Sequence, residues 1–242
     1  MKIIAPFAHE KMTGLSHVLW IGGPPDCGKT TIADLLGSKY QLQVYHFDRQ
    51  EMDHIRRADP ERHPALFALG TKLADLDEKA FQEWLWLSCT PEEMAASGKL
   101  VWLERIHLVI EDLHAMSTDR PIIAEGPGFF PEVILPLLMN SRQAIWMVPS
   151  ESFKRDSHHR RLKGKRRAEL LDNPELAQRN HIERDLLWAE QYRQSAKERA
   201  LPLLEVDGSK GPEEVAAEAE AYFKRLLPPS NQRHRNAVNG SS

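Results

Sequence analysis

Residues Gly22–Thr31 read GGPPDCGKTT. Within them Gly23, Gly28, Lys29 and Thr30 fit the phosphate-loop pattern: a glycine, any four residues, then Gly-Lys and a Ser or Thr. By average residue frequencies such a match arises by chance about once in a hundred chains of this length. The surroundings make chance a poorer account still. A compact apolar run, His17 to Ile21, precedes the loop, and TTIADLLGSKY, a helical pattern, follows it. Glycines let a backbone curl around an oxyanion with no Cβ in the way, and the curled loop turns successive N–H groups inward. The following helix adds the partial positive charge of its N-terminus. Gly23, Pro24, Pro25, Asp26, Cys27, Gly28, Lys29, Thr30 and Thr31 are therefore expected to hold the phosphates of a nucleotide. Lys29 would reach the β- and γ-phosphates and Thr30 would give its hydroxyl to Mg²⁺. Cys27 reads as a small filler of the loop, in preference to a redox switch near a helix N-terminus.

Outward from the loop, further strand-sized apolar runs occur at Gln43–Phe47, Ile122–Ala124, Ala144–Val148 and Leu203–Val206. Helical patterns separate them, which implies right-handed crossovers and a parallel sheet. The expected fold class is α/β, with helices on both faces of the sheet. Helix starts are legible at Thr90-Pro91-Glu92-Glu93, a capping box, and at Asn173-Pro174 and Gly211-Pro212. Leu103, Ile106, Ile110 and Leu113 recur at helical spacing, one buried stripe. The long stretch between the second and third strands, 49–120, reads as a helical insert. It carries Trp84, Trp86 and Trp102, either as core packing or as the lining of an acceptor pocket.

Two acids follow strands. Asp48 closes the second in VYHFDRQ and Glu125 the third in PIIAEGPG. Ligands of open parallel sheets bind at the carboxyl ends of the strands, so both acids should face the phosphate loop. Asp48 could accept a proton from an attacking hydroxyl or organise the metal; the plainer alternative is a helix N-cap. Glu125 fits the second Mg²⁺-organising element, so the metal set is Thr30, Asp48 and Glu125. After the fourth strand comes the basic segment 151–185, beginning ESFKRDSHHRRLKGKRRAEL. Arginines on a segment that closes over phosphates stabilise the charge of phosphoryl transfer, a single one by roughly 10³ to 10⁵ in rate. Arg155, Arg160, Arg161 and Arg184 are the candidates. His158 and His159 are adjacent and diverge on a helix, which argues against a metal site there.

Composition sets the outer bounds. The chain has 242 residues, 41% hydrophobic and 28% charged, with a formal net charge of -3. This is globular composition without a global pull towards polyanions. Two cysteines, Cys27 and Cys89, make neither a disulfide framework nor a metal pair, and a reducing cytoplasmic setting is expected. No stretch is long and apolar enough to span a bilayer. Residues 1–16 read as a leader, and 228–242 as a disordered tail.

GGPPDCGKTT, Asp48, IIAEGPG, the arginine-rich segment and VDGSKGPEEV together resemble the nucleoside-monophosphate-kinase-like branch of P-loop kinases. That branch includes adenylate, uridine, gluconate and shikimate kinases and chloramphenicol phosphotransferase. The resemblance runs over 17–227. It implies a five-stranded parallel sheet in the order 2-3-1-4-5, an acceptor-binding insert after strand two at 49–120 and a lid after strand four at 151–185. It also implies ATP and Mg²⁺ as cofactors and a loop at Asp207 to Lys210, with Asp207 and Gly208, near the adenine. Glu125-Gly126 stands where nucleotide kinases have Asp-Gly. Those kinases follow that pair with Pro-Arg to grip an acceptor phosphate, and GPGFFPE has no arginine.

The expected activity is therefore phosphoryl transfer from ATP to the hydroxyl of a small molecule that is nucleoside-like, sugar-like or antibiotic-like. Lys29, Asp48, Arg155, Arg160 and Arg184 form the catalytic set. A nucleotide or polynucleotide-end kinase and a non-catalytic nucleotide switch are the alternatives. A polynucleotide acceptor is disfavoured because Leu73 to Leu100 is acidic or apolar. Monomer and homodimer both remain open.

Overall fold

The computed structural model describes residues 14–160 and 169–229. Most of the expected leader and tail lies outside them. Five strands form one sheet: β1 Val18–Gly22, β2 Gln43–His46, β3 Ile122–Gly126, β4 Ala144–Pro149 and β5 Leu203–Val206. All neighbouring pairs are parallel and the order is β2-β3-β1-β4-β5, as the resemblance implies.

The strands are apolar because both faces are covered. Every residue of β1, β3 and β4 is buried. Alternate residues of β1 enter opposite cores. Val18 and Trp20 pack with α5 (Pro91–Ala115) and α8 (Pro174–Arg199), through Ile106, Ile110, Leu113, Trp188 and Tyr192. Leu19 and Ile21 pack with α1 (Lys29–Tyr40) and α9 (Pro212–Phe223), through Ile32, Leu36, Val215 and Phe223.

The insert between β2 and β3 is helical, as its pattern predicts. It comprises α2 Glu51–Arg56, α3 Pro64–Asp75, α4 Glu78–Leu87 and α5. Thr90 accepts from the Glu93 N–H at 3.2 Å while the Glu93 carboxylate accepts from the Thr90 N–H at 2.9 Å, the expected capping box. Asn173 accepts from the Leu176 N–H at 3.1 Å and starts α8 after the proline rule. The insert is fastened to the sheet through Asp112 on α5. Its carboxylate accepts from Tyr45 of β2 at 2.7 Å and Arg57 at 2.5 Å, and lies 2.9 Å from His54 Nε2 on α2. α6 (Pro131–Ile134) follows β3, and α7 (Glu151–Arg160) follows β4 and opens the basic segment.

Candidate active site

The phosphate loop joins β1 to α1 at the carboxyl edge of the sheet. Gly23 has φ 137 and Gly28 has φ 85, values that L side chains rarely adopt. A Cβ on Gly23 would also collide with the Met147 carbonyl oxygen of β4. The loop can therefore curl only with glycine there. Asp26, with φ 67, takes a left-handed conformation without being glycine. Lys29 is buried, and its Nζ donates to the Pro24 carbonyl at 2.7 Å across the loop. Burial alone would lower its pKa, but Cys27, Glu125, Asp48 and Asp26 outweigh that and raise it, so Lys29 is a cation. Burial raises the Cys27 thiol, so it stays protonated near neutrality; this suits the filler reading.

Thr30 Oγ1 donates to Glu125 Oε1 at 3.1 Å. Parallel register brings Glu125 beside Ile21 on one side and His46 on the other. His46 Nδ1 lies 2.9 Å from the same carboxylate oxygen, and its Nε2 lies 3.3 Å from Asp34 of α1. A hydroxyl and a buried carboxylate converging where the phosphate loop runs into α1 are hard oxygen donors, and they fit Mg²⁺.

Asp48 does not itself close β2, which ends at His46. It opens a 3-10 turn, Asp48–Gln50, and is exposed. The N-cap position of that turn is Phe47 and that of α2 is Gln50. Its carboxylate acts electrostatically on both Lys29 and Arg105. Arg105 is fully buried beneath the turn. It stacks on Phe47 at 3.8 Å, donates to the Phe47 carbonyl at 2.5 Å and to His54 Nδ1 at 3.1 Å, and stands 3.6 Å from Glu51.

A second group of charges ties the loop to the segment after β4. Lys154 of α7 is completely buried, donates to Asp26 at 2.6 Å, and is bonded to Asp185 of α8. Burial would raise the Asp185 pKa, but Arg184, His181 and Lys154 hold it well below the ordinary carboxylate range. Asp26, His181 and Asp185 lie close enough for a metal. The Lys154 ammonium, however, already bridges the two carboxylates.

Of the candidate arginines in the basic segment, Arg184 donates to Asp185 at 3.0 and 2.7 Å and stacks on Trp86 and Trp188, 4.5 Å from each ring. Arg155 is paired with Glu151 at 2.7 Å and Glu183 at 2.9 Å. The side chains of Arg160, His158 and His159, and the whole of Arg161, lie outside the described residues. Asp207 follows β5 and accepts from both the N–H and the hydroxyl of Ser209, at 2.9 and 2.6 Å; these bonds hold its pKa low. Gly208 has φ 85 and packs against Phe153 of α7.

Beside this edge the insert encloses a cavity of about 520 Å³ between α2, α3, α4, α5 and α8. Trp84 and Trp102 line it, while Trp86 is buried and stacks on His181 at 4.4 Å. The insert tryptophans thus divide between cavity wall and packing. Gly98 lets the α8 helix close the cavity floor, since a Cβ there would lie 2.8 Å from the Trp188 ring.

No family model matches the chain, and no curated protein sequence matches it. Among solved structures, a gluconokinase from Sinorhizobium meliloti 1021 aligns with 15% identity and a TM-score of 0.41. The alignment covers 88% of this chain and 94% of that one. The fold itself rests on the strand order and the loop after β1. Among the described residues, no helix is long and apolar enough to cross a membrane.

Proposed function

We propose that this protein is an ATP- and Mg²⁺-dependent kinase that transfers the γ-phosphoryl group to the hydroxyl of a small molecule. One observation carries the reading. Lys29 and Thr30 of the phosphate loop meet the Glu125 carboxylate at the carboxyl edge of a parallel sheet, with the Asp48 carboxylate close enough to act on Lys29.

In this reading the loop N–H groups and Lys29 bind the β- and γ-phosphates. Thr30 and Glu125 would hold Mg²⁺, with Asp48 at the edge of that set; when bound, the ion neutralises phosphate oxygens. His46 orients the Glu125 carboxylate from behind. The acceptor's oxygen bonds to the γ-phosphorus, the bond to the bridging oxygen of ADP breaks, and the hydroxyl proton passes to Asp48. Asp207 and Gly208 border the base. Arg155, Arg160 and Arg184 are the cations of the lid. Both described arginines are held by carboxylates, so either would have to exchange those partners for phosphate oxygens.

The metal arm is tested by calorimetric titration of ATP with and without Mg²⁺. Thr30→Val and Glu125→Gln should weaken ATP binding about 10- to 100-fold in Mg²⁺ and change it little in EDTA. Equal effects in both buffers, or none, would refute the metal roles.

A further inference from the structure

The chemistry of the cavity goes further than the reaction. We propose that the acceptor is an uncharged, predominantly apolar compound with an aromatic ring, bound in the cavity of the helical insert. This inference rests on the kinase reading above.

The wall is made of Met52, Leu69, Leu73, Phe81, Trp84 and Trp102, together with smaller apolar residues. Only Glu51, Lys72 and Arg184 among the lining residues carry charge. Arg184 is already satisfied by Asp185 and lies against Trp86 and Trp188. Lys72 is exposed on α3. Arg105, the buried cation nearby, is turned towards Phe47, His54 and Glu51 and does not line the space. An acceptor phosphate or carboxylate would therefore meet only an arginine committed to Asp185 and, in the proposed reaction, to the phosphates of ATP, next to the anionic Glu51. A polyol would leave several hydroxyls unpaired against hydrocarbon, which buried polar groups do not tolerate. An aromatic ring instead gains area and ring contacts from Trp84 and Trp102. The volume suits a drug-sized molecule.

Shared charges link the cavity to the site. Glu51 follows Asp48 by one helical turn, and both charges act on Arg105. On the opposite wall Arg184 leads through Asp185 and Lys154 to Asp26 of the phosphate loop. A hydroxyl presented at that end, with the ring held among the tryptophans, would meet Asp48 and give up its proton there as its oxygen takes the γ-phosphoryl group from ATP.

The full chain carries its own reporter. Cys89 is exposed and lines the cavity, whereas Cys27 is buried. Alkylation of Cys89 by iodoacetamide should be slowed at least about tenfold by saturating naphthaleneethanol, and not by naphthaleneacetate or gluconate. Lys29→Ala should retain that protection. Leu73→Asp should abolish it, while Leu73→Met keeps it. Protection by gluconate or naphthaleneacetate, but not by naphthaleneethanol, would overturn the proposal, as would protection unaffected by Leu73→Asp in a folded variant. Label transfer from γ-labelled ATP to naphthaleneethanol reads the kinase assignment separately. Protection without transfer to any alcohol supports the apolar ligand class and counts against the kinase reading alone.

Discussion

Asp48 stands exposed at the start of the turn after β2, where its charge is felt by Lys29 and Arg105. A hydroxyl acceptor must lose its proton on transfer, and in the proposed reaction this carboxylate is the base that takes it. Asp48→Asn preserves shape and removes basicity. It should lower kcat by about 10² to 10⁴ while ATP affinity changes little, as steady-state kinetics and titration would read. Retention of most of kcat would leave Asp48 a metal-organising residue. Which residues could be found from sequence follows from distance along the chain. Lys29 and Thr30 belong to a contiguous motif, and Glu125 ends a recognisable apolar run. His46, Arg105 and Lys154 were missed because their partners lie 79, 58 and 128 residues away. Only the crossovers of the sheet bring such pairs together. The one local signal for Lys154 was its place in a basic run, which reads as a solvated face.

At the scale of elements, the helical insert depends on a small polar clamp. Asp112 on α5 gathers Tyr45 from β2, His54 from α2 and Arg57 just beyond it. Burial would raise its pKa, but these hydrogen bonds lower it from 3.8 to about 2. A carboxylate with a depressed folded-state pKa stabilises the fold above its unfolded value and loses that contribution as pH falls. The contribution is at most about 2 kcal/mol and should fade between about pH 4 and pH 2. Thermal melts across this range should therefore converge for the wild type and Asp112→Asn, with the variant less stable at pH 6. A constant difference down to pH 2 would contradict the clamp. Strands and helix starts were legible because they rest on apolar runs, prolines and caps that act locally. β2 proved shorter than its apolar run, since Phe47 packs its ring against Arg105 and is the N-cap of the 3-10 turn. The cavity was legible only as a cluster of tryptophans, because its walls come from separate helices.

Across the whole molecule, two cores hold a parallel sheet whose carboxyl edge presents the phosphate loop, Glu125 and the turn with Asp48 on one side of an apolar chamber. Lys154 of α7 ties the loop to α8, so the phosphate loop and the chamber wall share one network of buried charge. Replacing one member of such a network typically costs about 3 to 5 kcal/mol, whereas among the described residues the hydrogen bonds of Lys29 stay within the loop and its charge acts on Glu125 and Asp48 at a distance. Its removal should therefore spare the fold and strike the chemistry. The central claim is best tested by following label from γ-labelled ATP into a hydroxyl acceptor, comparing the wild type with Lys29→Ala at matched thermal stability. The account predicts transfer by the wild type and a loss of roughly 10³-fold or more in the variant, the scale of a charge essential to the transition state; near-normal transfer by Lys29→Ala would contradict it.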